Sequence, residues 1–313
     1  MENNQLRNVI LTALTPMIWG TTYFVTTEFL PPGRSFFSAA MRAFPVGLLI
    51  LLFVRKLPQG IWWWRVTALG ALNFGLFFPL LFTAAYRLPG GIASTVGAIQ
   101  PFVVAILAYL LIGESLTRRK VLAATAGAIG VGMIVISPSA SFDAVGLTAA
   151  FAATTAMAIG TVLTKRWGQP VTPLVFTSWQ LVAGGLILLP LAFLIEGLPP
   201  TLSSINISGY LYLGLIGTGL AYAIWLRGVK HLNASTVTFL TLLSPISAMT
   251  IDFLVLDRTL TIIQIIGAVL VLGAIIAAQI KNKNSTESAN RKGQEYGEAR
   301  LKMQSAALTR IKF

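Results

Sequence analysis

The 313-residue chain has no cysteine, one histidine, and only 10 Asp and Glu against 23 Lys and Arg. Without cysteine there is no disulfide, no thiol nucleophile and no thiolate ligand, so the fold must rest on packing alone. A lone histidine, His231 beside a loop, cannot build a metal centre. No spacing of metal ligands and no Gly-x-Ser-x-Gly turn occurs either. The sequence therefore reads as no enzyme, with no catalytic residue, no metal and no cofactor. Charge is scarce, at 11% of residues, where a soluble domain carries roughly 25%. The net charge of +13 does not point to nucleic acid. The basic residues gather at the ends of apolar runs and form no stripe interleaved with aromatics.

What fills the chain instead is apolar sequence, 55% of all residues, in runs of about 20 residues, the length that crosses a bilayer core as a helix. Lipid cannot hydrogen-bond an exposed backbone, so each run must satisfy its own peptide groups as a helix. The runs predict an all-α integral membrane protein with ten spans, near 6–27, 35–54, 64–86, 91–112, 120–137, 144–166, 173–195, 207–228, 233–256 and 261–280. Pro31-Pro32-Gly33, Leu57-Pro58-Gln59-Gly60, Pro89-Gly90-Gly91, Ser137-Pro138-Ser139 and Pro199-Pro200 mark breaks between them. The first run has no small-residue cleavage site after it and reads as a retained helix rather than a signal peptide.

Ten spans divide the basic residues unevenly. One side of the membrane receives 19 Lys and Arg, eight of them in the tail, and the other receives Arg34, Arg87 and Arg258. The positive-inside rule then puts both termini in the cytoplasm, for a multi-pass protein of the cell inner (plasma) membrane. Residues 281–313 form a basic cytoplasmic tail, expected to be mobile and solvated. The lipid bilayer is the one macroscopic partner implied, and no obligate protein partner is evident.

The halves resemble each other. Residues 88–117 align with 232–261 at a constant offset of 144, with Leu88/Leu232, Pro101/Pro245, Leu110/Leu254, Leu116/Leu260 and Thr117/Thr261 identical. Each half holds five spans, an odd number, so the second must lie upside down relative to the first, as in secondary transporters. This predicts two inverted five-helix repeats, 6–139 and 144–280.

Several short motifs occur in a telling order. The first half has Ile18-Trp19-Gly20-Thr21-Thr22, Ala40-Met41-Arg42-Ala43-Phe44 and Gly113-Glu114-Ser115-Leu116-Thr117. The second has Gly219-Leu220-Ala221-Tyr222-Ala223-Ile224-Trp225, Lys230-His231-Leu232-Asn233-Ala234-Ser235 and Gln264-Ile265-Ile266-Gly267-Ala268. In this order they resemble the EamA-type families of the drug/metabolite transporter superfamily, over residues 6–280. The resemblance implies export of metabolites or amino acids, as in the YddG-like amino-acid exporters, through a cavity made by helices 1, 3, 4, 6, 8 and 9. One departure stands out: Asp257-Arg258-Thr259-Leu260 replaces the Gly-Glu that the family often repeats, so no role is carried over to that turn.

Residues for such a cavity can be named. Helix 1 places Thr12, Thr15, Trp19, Thr22 and Thr26 on one face. Hydroxyls there ordinarily bond neighbouring helices, but Trp19 lies at mid-span, away from the interface that Trp favours. The expected solute-binding set is Trp19, Tyr23, Asn73, Phe78, Gln100, Tyr222 and Ser244, with aromatic faces and neutral hydrogen-bonding groups. Pro101 and Pro245, at matched positions, are expected to free backbone carbonyls and act as hinges or gates. Arg42 and Asp252 are the intramembrane charges. A lone charge at mid-membrane costs on the order of 3 kcal/mol, so each is expected to need a partner, and the other is the nearest choice. No carboxylate lies between Arg7 and Glu28, which disfavours a small multidrug antiporter. The expectation is an uncoupled or weakly coupled exporter of small metabolites, amino acids first. A drug or nucleotide-sugar carrier is the rival transport reading, and a non-transporting scaffold or sensor the rival from another class.

Overall fold

The computed structural model describes residues 2–88, 96–135, 143–197, 201–255 and 260–279. The chain divides into two units, Met1–Ala278 and Gln279–Phe313. All of the second beyond Gln279 lies outside the described residues, and so does the expected tail 281–313. Among the described residues there is no strand.

Among the described residues ten helical rods follow one another once contiguous segments are joined. They are α1 Glu2–Phe29, α2 Ser35–Val54, α3 Trp62–Arg87, α4 Gln100–Ile112, α5 Arg118–Val135, α6 Ala144–Trp167, α7 Pro173–Glu196, α8 Ser204–His231, α9 Ala234–Val255 and α10 Ile262–Gln279. Seven of them, α1–α3 and α6–α9, are long and apolar enough to cross a membrane. Helices α4 and α10 are apolar but shorter as described, and α5 opens on Arg118, Arg119 and Lys120. The outer surface is apolar too: Phe53 is 84% exposed and Leu194 81%. Such a surface would aggregate in water and is what lipid tails solvate. The chain is a multi-pass α-helical membrane protein.

Helices pack closely where glycine removes the side chain. Gly47 of α2 meets Leu181 of α7, while Gly185 of α7 meets Phe44 of α2. Helices α5 and α10 cross backbone to backbone at Gly130 and Gly267. Lipid gives helices no hydrophobic reason to associate, so this small-residue contact supplies the dispersion energy that does.

Two rods are not regular. Helix α3 contains a π-helical turn at Ala71–Leu76, and α8 contains another at Leu215–Leu220. A wide turn leaves backbone carbonyls without their usual partner and is often found at functional sites. Both turns lie 144 residues apart at each end, the same offset that aligns Leu88 with Leu232.

Candidate functional site

Helices α4 and α9 are both interrupted beside a central cavity. Ahead of α4 the chain passes through a turn, closed by Ile99 N–H donating to the Val96 carbonyl at 3.1 Å, and the helix resumes at Gln100. In α9 the α-helical turn Ala234–Phe239 tightens to a 3-10 turn over Leu240–Leu242 before Leu243–Val255 resumes. Gly97, Ala98 and Gln100 line the cavity from one break, and Thr241, Leu242 and Ser244 line it from the other. These are the same positions at the offset of 144. A proline follows each break. Pro101 sits in the first turn of α4, where a missing N–H has no helical partner to lose, and Pro245 is the third residue of the α-helical segment Leu243–Val255 that follows the 3-10 turn. Pro245 lines the cavity, whereas Pro101 does not.

The cavity has a volume of about 110 Å³ and opens to solvent, smaller than the roughly 300–1,000 Å³ usual for small-molecule sites. Trp19 and Tyr23 from α1, Phe77 from α3 and Tyr222 from α8 give it an aromatic wall. The Trp19 and Tyr222 rings lie 4.9 Å apart, and Trp225 backs Trp19 at 5.1 Å. Helix α6 contributes Ala150, Ala153, Thr154 and Met157, whose small side chains leave the room that the aromatics border. On α3 and α6 the lining residues fall in the halves toward the α3 C-terminus and the α6 N-terminus, so the cavity extends from the middle of the bundle toward that end.

Arg42 of α2 lines the same cavity and is 1% exposed. Its Nε donates to Thr218 Oγ1 at 2.8 Å and its Nη2 to the Gly217 carbonyl at 3.1 Å, both in the π turn of α8. Trp19 Nε1 donates to that same carbonyl at 3.1 Å. The guanidinium also stands 4.5 Å over the Phe78 ring. Two buried donors of the cavity wall, Arg42 Nη1 and Gln100 Nε2, have no partner among the described residues. Among the described lining residues Arg42 is the one cation, and no carboxylate occurs. The partner expected for Arg42 was Asp252; the described partners are instead Thr218 and Gly217, because the π turn offers them acceptors. The Asp252 side chain lies outside the described residues.

The structure thus brings Trp19, Tyr23, Gln100, Tyr222, Ser244 and Arg42 to one cavity. Asn73 and Phe78 lie behind the wall instead. Asn73, in the π turn of α3, donates through Nδ2 to Gln180 Oε1 of α7 at 2.9 Å, and Phe78 is held under Arg42. Helix α3 turns the neighbouring Phe77 to the cavity, one residue from the expected position. Sequence reasoning did not place Thr154, Met157 or Thr241 in the wall. The position of Thr241, three residues before Ser244, was the available signal.

The opposite end of the bundle is tied by polar contacts. The Glu114 carboxylate, just past the left-handed Gly113 that ends α4, caps α9. It accepts from Ala234 N–H at 2.7 Å and from Ser235 Oγ at 2.8 Å, with Lys120 Nζ at 3.7 Å. Lys165 at the end of α6 donates to the Val229 and Leu232 carbonyls at 2.9 and 2.7 Å, where the final carbonyls of α8 lack helical partners. Asn8 Oδ1 of α1 accepts from Arg227 Nη2 of α8 at 2.9 Å.

An apolar outer surface, a helical bundle and a polar and aromatic cavity open to solvent define a membrane protein of the small-solute transporter class. The sequence profile of the EamA-like transporter family matches residues 6–136 and, a second time, 144–278. The chain belongs to this family, and so to the EamA-type transporters of the drug/metabolite transporter superfamily. It is 44% identical over 266 residues to Protein PecM of Dickeya dadantii, covering 84% of this chain and 89% of that one. It is 30% identical to a WAT1-related chloroplastic protein of Arabidopsis thaliana, over 85% of this chain and 68% of the relative. A solved crystal structure at 19% identity superposes with a TM-score of 0.72, covering 87% of this chain and 96% of its own. That likeness concerns the fold. Membership also places the protein among transporters of small metabolites and not among enzymes.

Proposed function

We propose that the protein exports small metabolites, amino acids first, by alternating access around this cavity, without a coupling ion. The single observation that carries the reading is the cavity at the paired breaks of α4 and α9. It offers aromatic faces, neutral hydrogen-bonding groups and one guanidinium, with no carboxylate among its described lining residues. A solute carboxylate is served by such a wall. A lipophilic cation would meet Arg42 without a counter-charge, at a high desolvation cost, and a nucleotide sugar calls for several cations where one is present. The lack of a titratable carboxylate in the described wall supports movement down the solute's own gradient.

In this reading ten spans form two inverted halves, 6–139 and 144–280, in the inner (plasma) membrane with both termini and the tail 281–313 in the cytoplasm. The two profile matches, the π turns at a common offset and the equivalent breaks of α4 and α9 support the repeat. The cavity then opens outward, and the ties of Glu114, Lys165 and Asn8 form the cytoplasmic gate. The test is counterflow in proteoliposomes preloaded with single amino acids, with and without a pH gradient. Exchange without a gradient is expected. Flux of lipophilic cations but of no amino acid would overturn the solute class, and amino-acid flux that needs protons would overturn the uncoupled mechanism.

A further inference from the structure

We infer that Arg42 and Gln100 form a carboxylate cradle, and that the carboxylate rather than the ammonium group admits a solute, so that aromatic carboxylic acids lacking an amino group are accepted too. This rests on the transporter reading and deepens it.

Arg42 has five N–H bonds in a fixed planar fork. Nε and Nη2 are spent on Thr218 and Gly217, which anchor the fork to α8. Nη1 is buried and has no acceptor. An orphaned donor on a buried cation is costly, and the cost is removed by an acceptor that arrives with its own negative charge. Gln100 of α4, 7% exposed, presents a second orphan in Nε2. Both residues line one cavity. The two unmet groups are donors, so their complement is an acceptor with at least two lone-pair sites and negative charge. A carboxylate is that group, and charge-assisted bonds to it are about twice as strong as neutral ones.

The rest of the solute is constrained by the rest of the wall. Trp19, Tyr23, Phe77 and Tyr222 provide flat apolar faces suited to a ring. An ammonium group finds no carboxylate among the described lining residues, and only hydroxyls and backbone carbonyls remain for it. The amino group is therefore tolerated and is not what the site selects. The same carboxylate also touches conformational change. Arg42 holds the π turn of α8 through Gly217, and Trp19 shares that carbonyl. A solute drawing on Nη1 pulls on the contact between α1, α2 and α8.

The experiment uses the full chain, purified and reconstituted, with four probes of one ring system: L-phenylalanine, 3-phenylpropionate, L-phenylalaninamide and phenethylamine. Quenching of tryptophan fluorescence reads binding and counterflow reads transport. Phenylalanine and 3-phenylpropionate are expected to bind within about 10-fold of each other, and the amide and the amine at least 10-fold more weakly. Gln100→Leu removes an amide that holds nothing in the protein through Nε2, so the fold should persist while the acid-to-amide preference falls about 10-fold, the worth of one buried hydrogen bond. Arg42→Lys keeps the charge and loses the fork, and should lower the preference further. Equal binding of acid and amide to the wild type would overturn the cradle, as would an unchanged preference in Gln100→Leu or binding of neither acid. Selective binding of both acids with no counterflow of any probe would uphold the cradle and refute the transporter reading. Counterflow confined to the amine and the amide would refute the cradle and the amino-acid solute class while upholding transport.

Discussion

Trp19 and Arg42, from α1 and α2, donate to a single acceptor, the Gly217 carbonyl, each at 3.1 Å. The acceptor exists because the π turn Leu215–Leu220 breaks the regular hydrogen-bond ladder of α8. Three helices of the cavity wall are therefore fastened at one oxygen. Trp19→Phe removes the Nε1 donor and keeps an aromatic ring beside Tyr222. The carbonyl still accepts from Arg42, so the expected loss of stability is about 1 kcal/mol. Counterflow should slow several-fold, because α1 loses its only side-chain bond to the π turn among the described residues. Thermal unfolding in detergent, paired with flux, checks both. Unchanged values in both measurements would show that the shared carbonyl fastens nothing.

The crossing of α5 and α10 makes a sharper test of packing. A methyl group at Gly267 would stand 2.6 Å from the Gly130 carbonyl oxygen and 3.0 Å from Ile134 N, both backbone atoms that cannot swing aside. Gly267→Ala should destabilise the protein by about 1–3 kcal/mol, the usual range for overpacking. Gly273, two turns along α10, has no heavy atom within 4 Å of the same added methyl. Gly273→Ala should be neutral or stabilising by up to about 1 kcal/mol, from helix propensity alone. Opposite signs within one helix are the expected outcome. Loss at Gly273 equal to that at Gly267 would point to a general intolerance of α10 and against a specific crossing.

The helix bounds were largely legible in the sequence, and their contents were not. Helix α2 spans Ser35–Val54 as expected because Pro31-Pro32-Gly33 stops the chain before it and Arg55-Lys56 ends the apolar run. The π turns at Ala71–Leu76 and Leu215–Leu220 left no mark, since both are glycine-containing apolar stretches like their surroundings. Asn73 and Phe78 were assigned to the wall for a related reason. A surface helix in water shows its buried face by contrast with its polar one, but in lipid both faces are apolar. Polar residues mark the inside without saying which of two inner faces they serve. Gln180, which accepts from Asn73, could be found only from the fold.

The absence of cysteine makes orientation directly testable. Pro32 lies in the α1–α2 connection and Gln59 in the α2–α3 connection, and both are exposed. The charge bias places Pro32 outside and Gln59, next to Arg55 and Lys56, in the cytoplasm. In intact cells Pro32→Cys should react with an impermeant thiol reagent and Gln59→Cys should not, while both react after permeabilisation. The reverse pattern would invert the topology, and with it the side to which the cavity opens.

Glu114 ties the α4–α5 connection to α9 at the end of the bundle away from the cavity. Its side chain is 13% exposed and Lys120 is 16% exposed, so solvent screens the contact only in part. Two contributions are present. The carboxylate satisfies the Ala234 N–H, an end group of α9 with no helical acceptor, and its charge complements the positive end of the helix dipole. Glu114→Ala removes both and should cost about 1–2 kcal/mol, as helix caps do. Glu114→Gln keeps an acceptor for Ala234 and loses the charge, so it should cost less, about 0.5–1 kcal/mol. Ser235→Ala removes only the 2.8 Å hydroxyl bond to the same carboxylate. Because both changes cut that bond, the double variant should lose less than the two single losses added together. If the tie is part of a gate, a cysteine probe at Thr241 in the cavity should become more reactive from the cytoplasmic side in Glu114→Ala than in the parent. Thermal unfolding reads the cap and thiol accessibility reads the gate. A stability loss without any change in accessibility would leave Glu114 as a cap and remove it from the gating scheme.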